Sequence, residues 1–509
     1  MNETATRHST AGAKRNPTIP ERIRDLAIMR SAALIWDGEH AYAIVQTPDH
    51  VRCLPVGSKA FRRWVQHEVR RQDMKPPSRE SLKTAELAIE AKAEEDGGVQ
   101  PTPSIRVAGR DGEIYLDLGD DDWTCVHVTA DGWVVEKHPV DGPYMYRPPR
   151  MAALPVPERD GDIGELWRFV NVAGKAERML LVAAMVQMFW PRGPFPVVAV
   201  FGEQGSAKTT TQEMVKSLVD PSRPAPDKHA LTSLRKPPRD ERDITAAAYG
   251  ARVIGFDNVS YLDEWLSDAI CRLSTGADLG GRELFSDFDE AIISAVRPVM
   301  LNGIPEVVGR SDLADRTIKI EGSPPEKRKE EAKLWREFSE ARPRLLGALL
   351  DLLVIALRRY DDVQVSPEWP DVRMADFARL GEAIGPALGL EAGGFTRIYH
   401  ANRSEAAREV AELDSLTPRL EELLAARGER WEGSVGELLD ALKEGQTGLL
   451  SGKGWWSSAK ALQTHLVRQV APLRAVGIQV EKKGRSRSPI SNKPRTLYTV
   501  VRSARAPDG

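Results

Sequence analysis

One stretch, FPVVAVFGEQGSAKTTT, limits what this chain can fold into more than any other. An apolar, β-branched run from Pro196 to Phe201 leads without a break into Gly202, Glu203, Gln204, Gly205, Ser206, Ala207, Lys208, Thr209 and Thr210, and a helix-forming segment follows to Leu218. Strand, glycine-containing loop and helix in that order turn backbone N–H groups and the positive end of a helix toward one anion. Lys208 adds a charge for β- and γ-phosphate oxygens, and the Thr209 hydroxyl suits a Mg²⁺ shell. This is a Walker A loop, and its expected occupants are ATP and Mg²⁺. It departs from the usual form in carrying Ala207 where a second glycine commonly stands.

A metal on Thr209 needs a carboxylate from a neighbouring strand. ARVIGFDNVS offers Asp257 at the end of the apolar run Val253 to Phe256, and Asp257 joins Thr209 as the expected metal ligand. The next residue is Asn258 rather than a second acid. Either Asp257 does double duty or the base comes from elsewhere, with Glu203 and Glu264 the near candidates. A third strand, Val299 to Leu301, ends in Asn302, whose amide can bond a γ-phosphate or the attacking water. GRSDLADRTIKIEG then sets Arg316 between a short helix beginning near Ser311 and the strand Thr317 to Glu321. A guanidinium there either completes a neighbouring subunit's nucleotide site or pairs with Asp312 or Asp315, and Arg310 is the reserve candidate. A second-sensor arginine is left open between Arg342 and Arg344.

Length implies several domains, since one core rarely grows past about 250–300 residues. We expect a disordered polar tail over 1–20, an α+β domain over 21–150 with one helical stretch from Lys59 to Glu95, and a Pro/Gly linker over 151–164. A parallel-sheet α/β core over 165–324, a helical domain over 325–425 and a winged helix over 430–503 follow. In the last, Trp431 to Lys443 and Ser457 to Val476 are the expected helices, ahead of two strands around a basic loop. The turn holding Asp117, Asp120, Asp121 and Asp122 reads as ordinary Gly/Asp turn chemistry and not as a metal site for nucleotidyl transfer. Nothing in 1–150 supplies a convincing primase site. Cys53, Cys125 and Cys271 lack the paired spacing of a zinc site. No run approaches the roughly 20 apolar residues that span a bilayer, nor does an apolar block follow the first polar residues, so a cytoplasmic protein with no membrane partner is expected.

Charge is nearly balanced, with 71 basic and 74 acidic residues and a net of −3. Its distribution is not: Lys482, Lys483, Arg485, Arg487, Lys493, Arg495 and Arg502 form a run without an acid. Such a run fits phosphates. Lys460, His465 and Arg468 on the helix before it are the residues for a DNA groove.

With GEQGSAKTT, FDNVS, LSTGADLGGRELFSDFDE, RPVMLNGI, DLADRTI and RMADFARLGEAIG in one order, the chain resembles the superfamily 3 helicases and related AAA+ ATPases of phages, plasmids and integrative elements, including the helicase part of primase-helicases. The match is closest from Leu154 to about Gly385. The resemblance implies a ring, commonly a hexamer, around single-stranded or forked DNA, with a hairpin between Gly280 and Val296 reaching the strand. There Arg282 and Arg297 are phosphate contacts, and Phe285 or Phe288 a stacking group. It implies an ATP-dependent helicase or translocase of a mobile element, working beside a separate primase or polymerase. The alternative is an ATP-gated initiator, loader or regulator with feeble hydrolysis. A small-molecule kinase would share the loop but has no use for Arg316 or the basic run.

Overall fold

The computed structural model describes residues 16–48, 50–139, 141–224, 228–276, 279–282, 290–293, 295–303, 310–325, 329–365, 372–444, 456–487 and 494–502. Contacts divide the chain into two compact units, Met1–Ile105 with Lys137–Arg147, and Arg106–Glu136 with Pro148–Gly509.

The first unit runs α1 (Ile19–Arg30), β1 (Ala33–Trp36), β2 (Ala41–Gln46), β3 (Val51–Pro55), α2 (Lys59–Arg71) and α3 (Arg79–Gly97). The strands form an antiparallel meander in chain order. Alternation along β2 sends Ala43 and Val45 toward Ile23, Phe61, Trp64 and Ile89 of the helices, and Tyr42 and Ile44 to the other face. The single helix expected over 59–95 is two. Pro76 and Pro77 interrupt it, because proline has no N–H to continue a helix, and Ser78 starts the next by accepting from Ser81 N (3.1 Å).

In the second unit the first strands are β4 (Val107–Arg110), β5 (Glu113–Asp117), β6 (Thr124–Val128) and β7 (Trp133–Lys137), in that order in one sheet. Asp117 and Asp120 accept the N–H groups of Gly119 (2.8 Å) and Thr124 (2.9 Å), the work of turn residues. The stretch 21–150, expected as one domain, is thus divided between the units. The reason lies in the core: Val107, Ile114, Leu116 and Val126 pack in one cluster with α4 (Lys175–Met188) and with α9 (Glu331–Arg359).

The central sheet contains β8 (Val197–Phe201), β9 (Ile254–Val259), β12 (Val299–Gly303) and β13 (Thr317–Glu321), all parallel, in the order β13-β8-β12-β9. Both faces are covered. Val198, Val200, Met300, Ile318 and Ile320 meet α4, α5 (Lys208–Val219) and α9, while Val197, Ala199, Phe256 and Leu301 meet α6 (Glu241–Ala248) and α7 (Glu264–Thr275). Burial on both faces is why these strands read as unbroken apolar runs. A fifth parallel position shrinks to one bridge, Arg235 to Phe256, beside Pro237 and Pro238, which cannot donate to a ladder.

β10 (Leu279–Arg282) and β11 (Glu290–Ile293) form an antiparallel pair, and α8 (Ser311–Ala314) precedes β13. The expected linker is packed: Glu158 N donates to Pro343 O (2.9 Å), and a Cβ on Gly347 would lie 1.7 Å from Glu158 O. Nor do the helices after 325 keep a core of their own, since α9, α10 (Ala375–Ile384) and α11 (Gly394–Leu413) share that of the sheet.

The C-terminal part has a separate cluster, built on α12 (Leu416–Ala426), β14 (Arg430–Ser434), α13 (Val435–Glu444), α14 (Ala459–Arg468), α15 (Val470–Ala475), β15 (Ile478–Arg487) and β16 (Pro494–Arg502). Its sheet runs β14-β16-β15. The helix expected from Trp431 begins only at Val435, because Trp431 and Gly433 alternate inward on a strand paired with β16. The helix expected over 457–476 breaks at Gln469, ahead of Pro472. Among the described residues no helix is long and apolar enough to cross a membrane.

Candidate functional site

Parallel strands end at one edge, and chain order switches around β8, with β12 on one side and β13 on the other. The crevice at such a switch, beyond the carboxyl ends, is where open α/β sheets take ligands. The loop 202–207 lies there. Gly202 has φ +140°, and a Cβ on it would meet Gly322 O at 2.5 Å, so only glycine fits. Ala207 is left-handed at φ +58°, a cost of about 1–2 kcal/mol that glycine would avoid. Lys208 Nζ donates to Gly202 O (2.7 Å) and Glu203 O (2.9 Å), so its charge has carbonyl partners and no carboxylate one among the described residues.

Opposite the loop, Thr209 Oγ1 donates to Asp257 Oδ1 at 2.8 Å. The pairing of β9 with β12 shifts register here, and Asn258 takes φ +54°. Asparagine tolerates that conformation better than a longer acid would. The bulge aims the Asn258 N–H at Asn302 Oδ1 (2.7 Å). Asn302 Nδ2 donates in turn to Asp257 Oδ1 (2.9 Å) and to Gln212 Oε1. Gln212 Nε2 closes the network on Phe256 O (3.3 Å) and Met300 O (3.0 Å).

The sequence reading missed Gln212. The available signal was an amide one turn after Lys208 on a face otherwise shared with Thr211, Val215 and Leu218. It also missed Glu213, which lies one turn beyond Thr209 and is buried. Desolvation pushes its carboxyl up to about 7, opposed by Lys228, whose Nζ is 3.9 Å away, and reinforced by Asp257.

A hydroxyl and a carboxylate are the hard oxygen donors that Mg²⁺ takes, and Mg²⁺ fills the rest of its shell with phosphate and water. Thr209 Oγ1 and Asp257 Oδ1 are one such pair of donors, and among the described residues no three His, Cys, Asp or Glu side chains form a metal-holding group.

Arg316 stands at the opposite edge. Val197 N donates to Arg316 O (2.8 Å) and Thr317 pairs with Val197, so Arg316 sits at the start of β13 while Gly202 follows the end of β8. Five residues at about 3.3 Å each put roughly 16 Å between those ends. Arg316 Nη1 donates to Asp312 O (2.6 Å), and Asp315 is held by Arg403 (2.9 Å) instead. Arg316 lines a cavity of about 450 Å³ with Asp268, Cys271, Arg272 and Asp312.

Other candidates are engaged elsewhere. Arg310 pairs with Asp268 (3.2 Å) and Glu264 (3.6 Å), and Glu264 also meets Arg468 (3.4 Å). Buried Arg342 donates to Ser217 O (2.7 Å) at the far end of α5, and desolvation pushes its pKa down to about 10. Arg344 forks onto Glu165 (2.8 and 3.1 Å). Arg297 donates to Ala248 O (3.0 Å) at the carboxyl end of α6. Arg282 is on β10, while Phe285 and Phe288 lie outside the described residues.

On the C-terminal sheet, Lys482 and Lys483 are exposed, as is Lys460 on α14. Arg485 and Arg487 stand on β15 opposite Thr496 and Pro494, and Lys493 lies outside the described residues. His465 pairs with Asp414 (2.9 Å), Arg495 with Glu437, and Arg502 with Glu421 (3.2 Å) and Glu429 (3.7 Å).

Residues 163–402 match the family model of the actinomycete integrative conjugative element replication protein, and residues 418–507 match that of the AICE RepA C-terminal domain. The chain matches a replication-protein family of mobile elements. No curated protein matches it in sequence. Solved structures similar to it include the active helicase Cch of SCCmec type IV, at 11% identity over 92% of each chain with a TM-score of 0.45. The apo NrS-1 C-terminal region matches at 11% identity, over 96% of this chain and 100% of that one, with a TM-score of 0.38. The JCV helicase matches at 14% identity, over 46% and 66%, with a TM-score of 0.20.

Proposed function

We propose that this chain is an ATP-dependent DNA helicase or translocase of a mobile element, working as a homo-oligomeric ring in which a hexamer is the expected form. The carrying observation is the division of one site between two edges of a sheet. Lys208, Thr209, Asp257 and Asn302 gather at the carboxyl edge, and Arg316 sits about a strand's length away at the other. Arg316 is too far to serve its own loop, and in a ring it meets the next subunit's.

Each residue then has a task. Backbone N–H groups from Gly202 to Thr210 and the Lys208 ammonium bind phosphate oxygens. Thr209 and Asp257 hold Mg²⁺. Asn302, fixed by Gln212 and the Asn258 N–H, orients the attacking water. Arg316 in trans neutralises charge that develops as the bond breaks, which ties turnover to assembly. Bound ATP supplies the phosphoanhydride, and Mg²⁺ offsets its charge. The β10–β11 pair and the basic C-terminal sheet grip DNA, with primer synthesis left to a separate primase or polymerase.

A second reading is favoured by Asn258 and by the engagement of Glu264 with two arginines: an ATP-gated initiator or loader in which hydrolysis is slow. Strand separation on a forked duplex tests both, alongside the mass of the assembly formed with a non-hydrolysable ATP analogue. The wild type unwinds, while Lys208→Ala and Arg316→Ala do not. Slow turnover with tight, ATP-dependent DNA binding selects the second reading, and a monomer that fails to retain ATP overturns both.

A further inference from the structure

The first unit holds a cationic cleft that the nucleotide site does not use. It lies between the carboxyl end of α1, the β2–β3 turn and the outer face of α2, with a volume of about 730 Å³. Its walls carry Arg30, Arg52, Arg63, His67 and Arg71 against a single described acid, Glu68. Positions 63, 67 and 71 recur every four residues and form one stripe along α2, about 12 Å long at ~1.5 Å per residue. The stripe faces outward because Phe61, Val65 and Val69 spend the opposite face on the core.

The charge of the cleft is not cancelled locally. Glu68 accepts from Arg71 (2.8 Å) and lies 3.6 Å from Arg30, so one carboxylate is shared by two of the four guanidiniums. Arg52 is half-buried, and no described carboxylate pairs with it. Desolvation lowers its pKa, the mark of a cation withdrawn from water without compensation.

We infer that this cleft binds the phosphate backbone of single-stranded DNA. A single phosphate or carboxylate occupies one guanidinium fork, whereas a stripe of about 12 Å faced by Arg30 and Arg52 matches several phosphates in a row, at ~3.4 Å or more each. The lining arginines have the fork geometry that takes phosphate oxygens two at a time. The cleft gives the first unit a role of its own, holding a strand independently of ATP.

The test uses the full-length chain and a fluorescent 30-nucleotide oligo-dT, with binding read by anisotropy across a salt series and without nucleotide. Arg52→Glu with Arg63→Glu is expected to weaken binding at least tenfold. It should also flatten the salt dependence by about 1.4 in slope, since a single strand contributes ~0.7 per lost phosphate contact. The milder pair Arg52→Gln with Arg63→Gln should give a three- to fivefold loss with an unchanged thermal midpoint, and it decides the matter if the charge reversal unfolds the chain. Photo-crosslinking of a 5-iododeoxyuridine oligomer should mark peptide 59–71. Unchanged affinity and slope in the glutamine pair overturn the inference. So does binding of a poly-glutamate peptide that the variants lose while DNA binding persists. None of these readouts depends on ATP turnover, so failure here leaves the ATPase reading standing, and the reverse also holds.

Discussion

The parallel sheet and the C-terminal sheet both offer cations, and the two regions treat them differently. At the edges of the parallel sheet, Lys208 and Arg316 hydrogen-bond to main-chain carbonyls. In the C-terminal region Arg468, Arg495 and Arg502 end on the carboxylates of Glu264, Glu437, and Glu421 with Glu429. A carbonyl orients a cation and leaves its charge in place, whereas a carboxylate cancels it. The basic run that is free of acids in the sequence therefore holds less unspent charge than its composition suggests.

The largest expected effect breaks or keeps this contrast directly. Arg316→Ala should cut ATP turnover about 10³-fold with nucleotide retention unchanged, while Arg468→Ala changes turnover less than twofold. Equal losses in a steady-state ATPase assay would erase the distinction between the regions.

Next comes the most deeply paired cation. Arg106 is fully buried, and its Nε donates to Asp220 (3.1 Å), whose other oxygen accepts from Arg252 N (2.9 Å) and Val253 N (3.0 Å). Burial alone would raise the Asp220 carboxyl, but Lys216 and Arg106 hold it below the usual range. Arg106→Met removes one of the two cations beside that carboxylate, leaving Lys216 at 3.6 Å, and should cost about 3–5 kcal/mol in denaturant unfolding. A loss under 1 kcal/mol would show that burial does not amplify pairing here.

Glu213 is the converse, an acid with only a distant cation. Its carboxyl is raised from 4.5 to about 7 in the folded chain, so the folded state binds the proton more tightly than the unfolded one. The stabilisation is complete below about pH 4.5 and is lost as pH climbs through 7. Glu213→Gln should flatten that fall and leave the nucleotide-free protein about 1–3 kcal/mol more stable than wild type at pH 8. Parallel stability curves for the two proteins would refute it.

The smallest effect separates spent from unspent charge within the C-terminal sheet. Lys482→Ala should lower the salt slope of duplex binding by about 0.9, whereas Arg502→Ala, already paired, should leave it unchanged and alter stability by less than about 1 kcal/mol.

Much of the sheet's carboxyl edge was legible because its signals are local. A β-branched run, a glycine at φ +140° and a following helix are properties of neighbouring residues, and Asp257 and Asn302 were readable as polar residues closing apolar strands. Gln212 was not, since its partners Phe256, Met300 and Asn302 lie 44 to 90 residues away in sequence. The strand at Arg430 and the break at Gln469 were missed because a short apolar alternation suits helix and strand alike until its partner is known.

By itself, then, the sequence determined the chemistry on offer: a glycine-containing loop between a strand and a helix, a carboxylate and an amide at strand ends, and an arginine before the last parallel strand. Tertiary structure alone decided which charges are spent, that Arg316 stands at the sheet edge opposite its own loop, and that strands 107–128 join the core of the parallel sheet. Propensity and motif act over a few residues and survive in the linear order, whereas hydrogen bonds, ion pairs and cores join positions that only packing brings together.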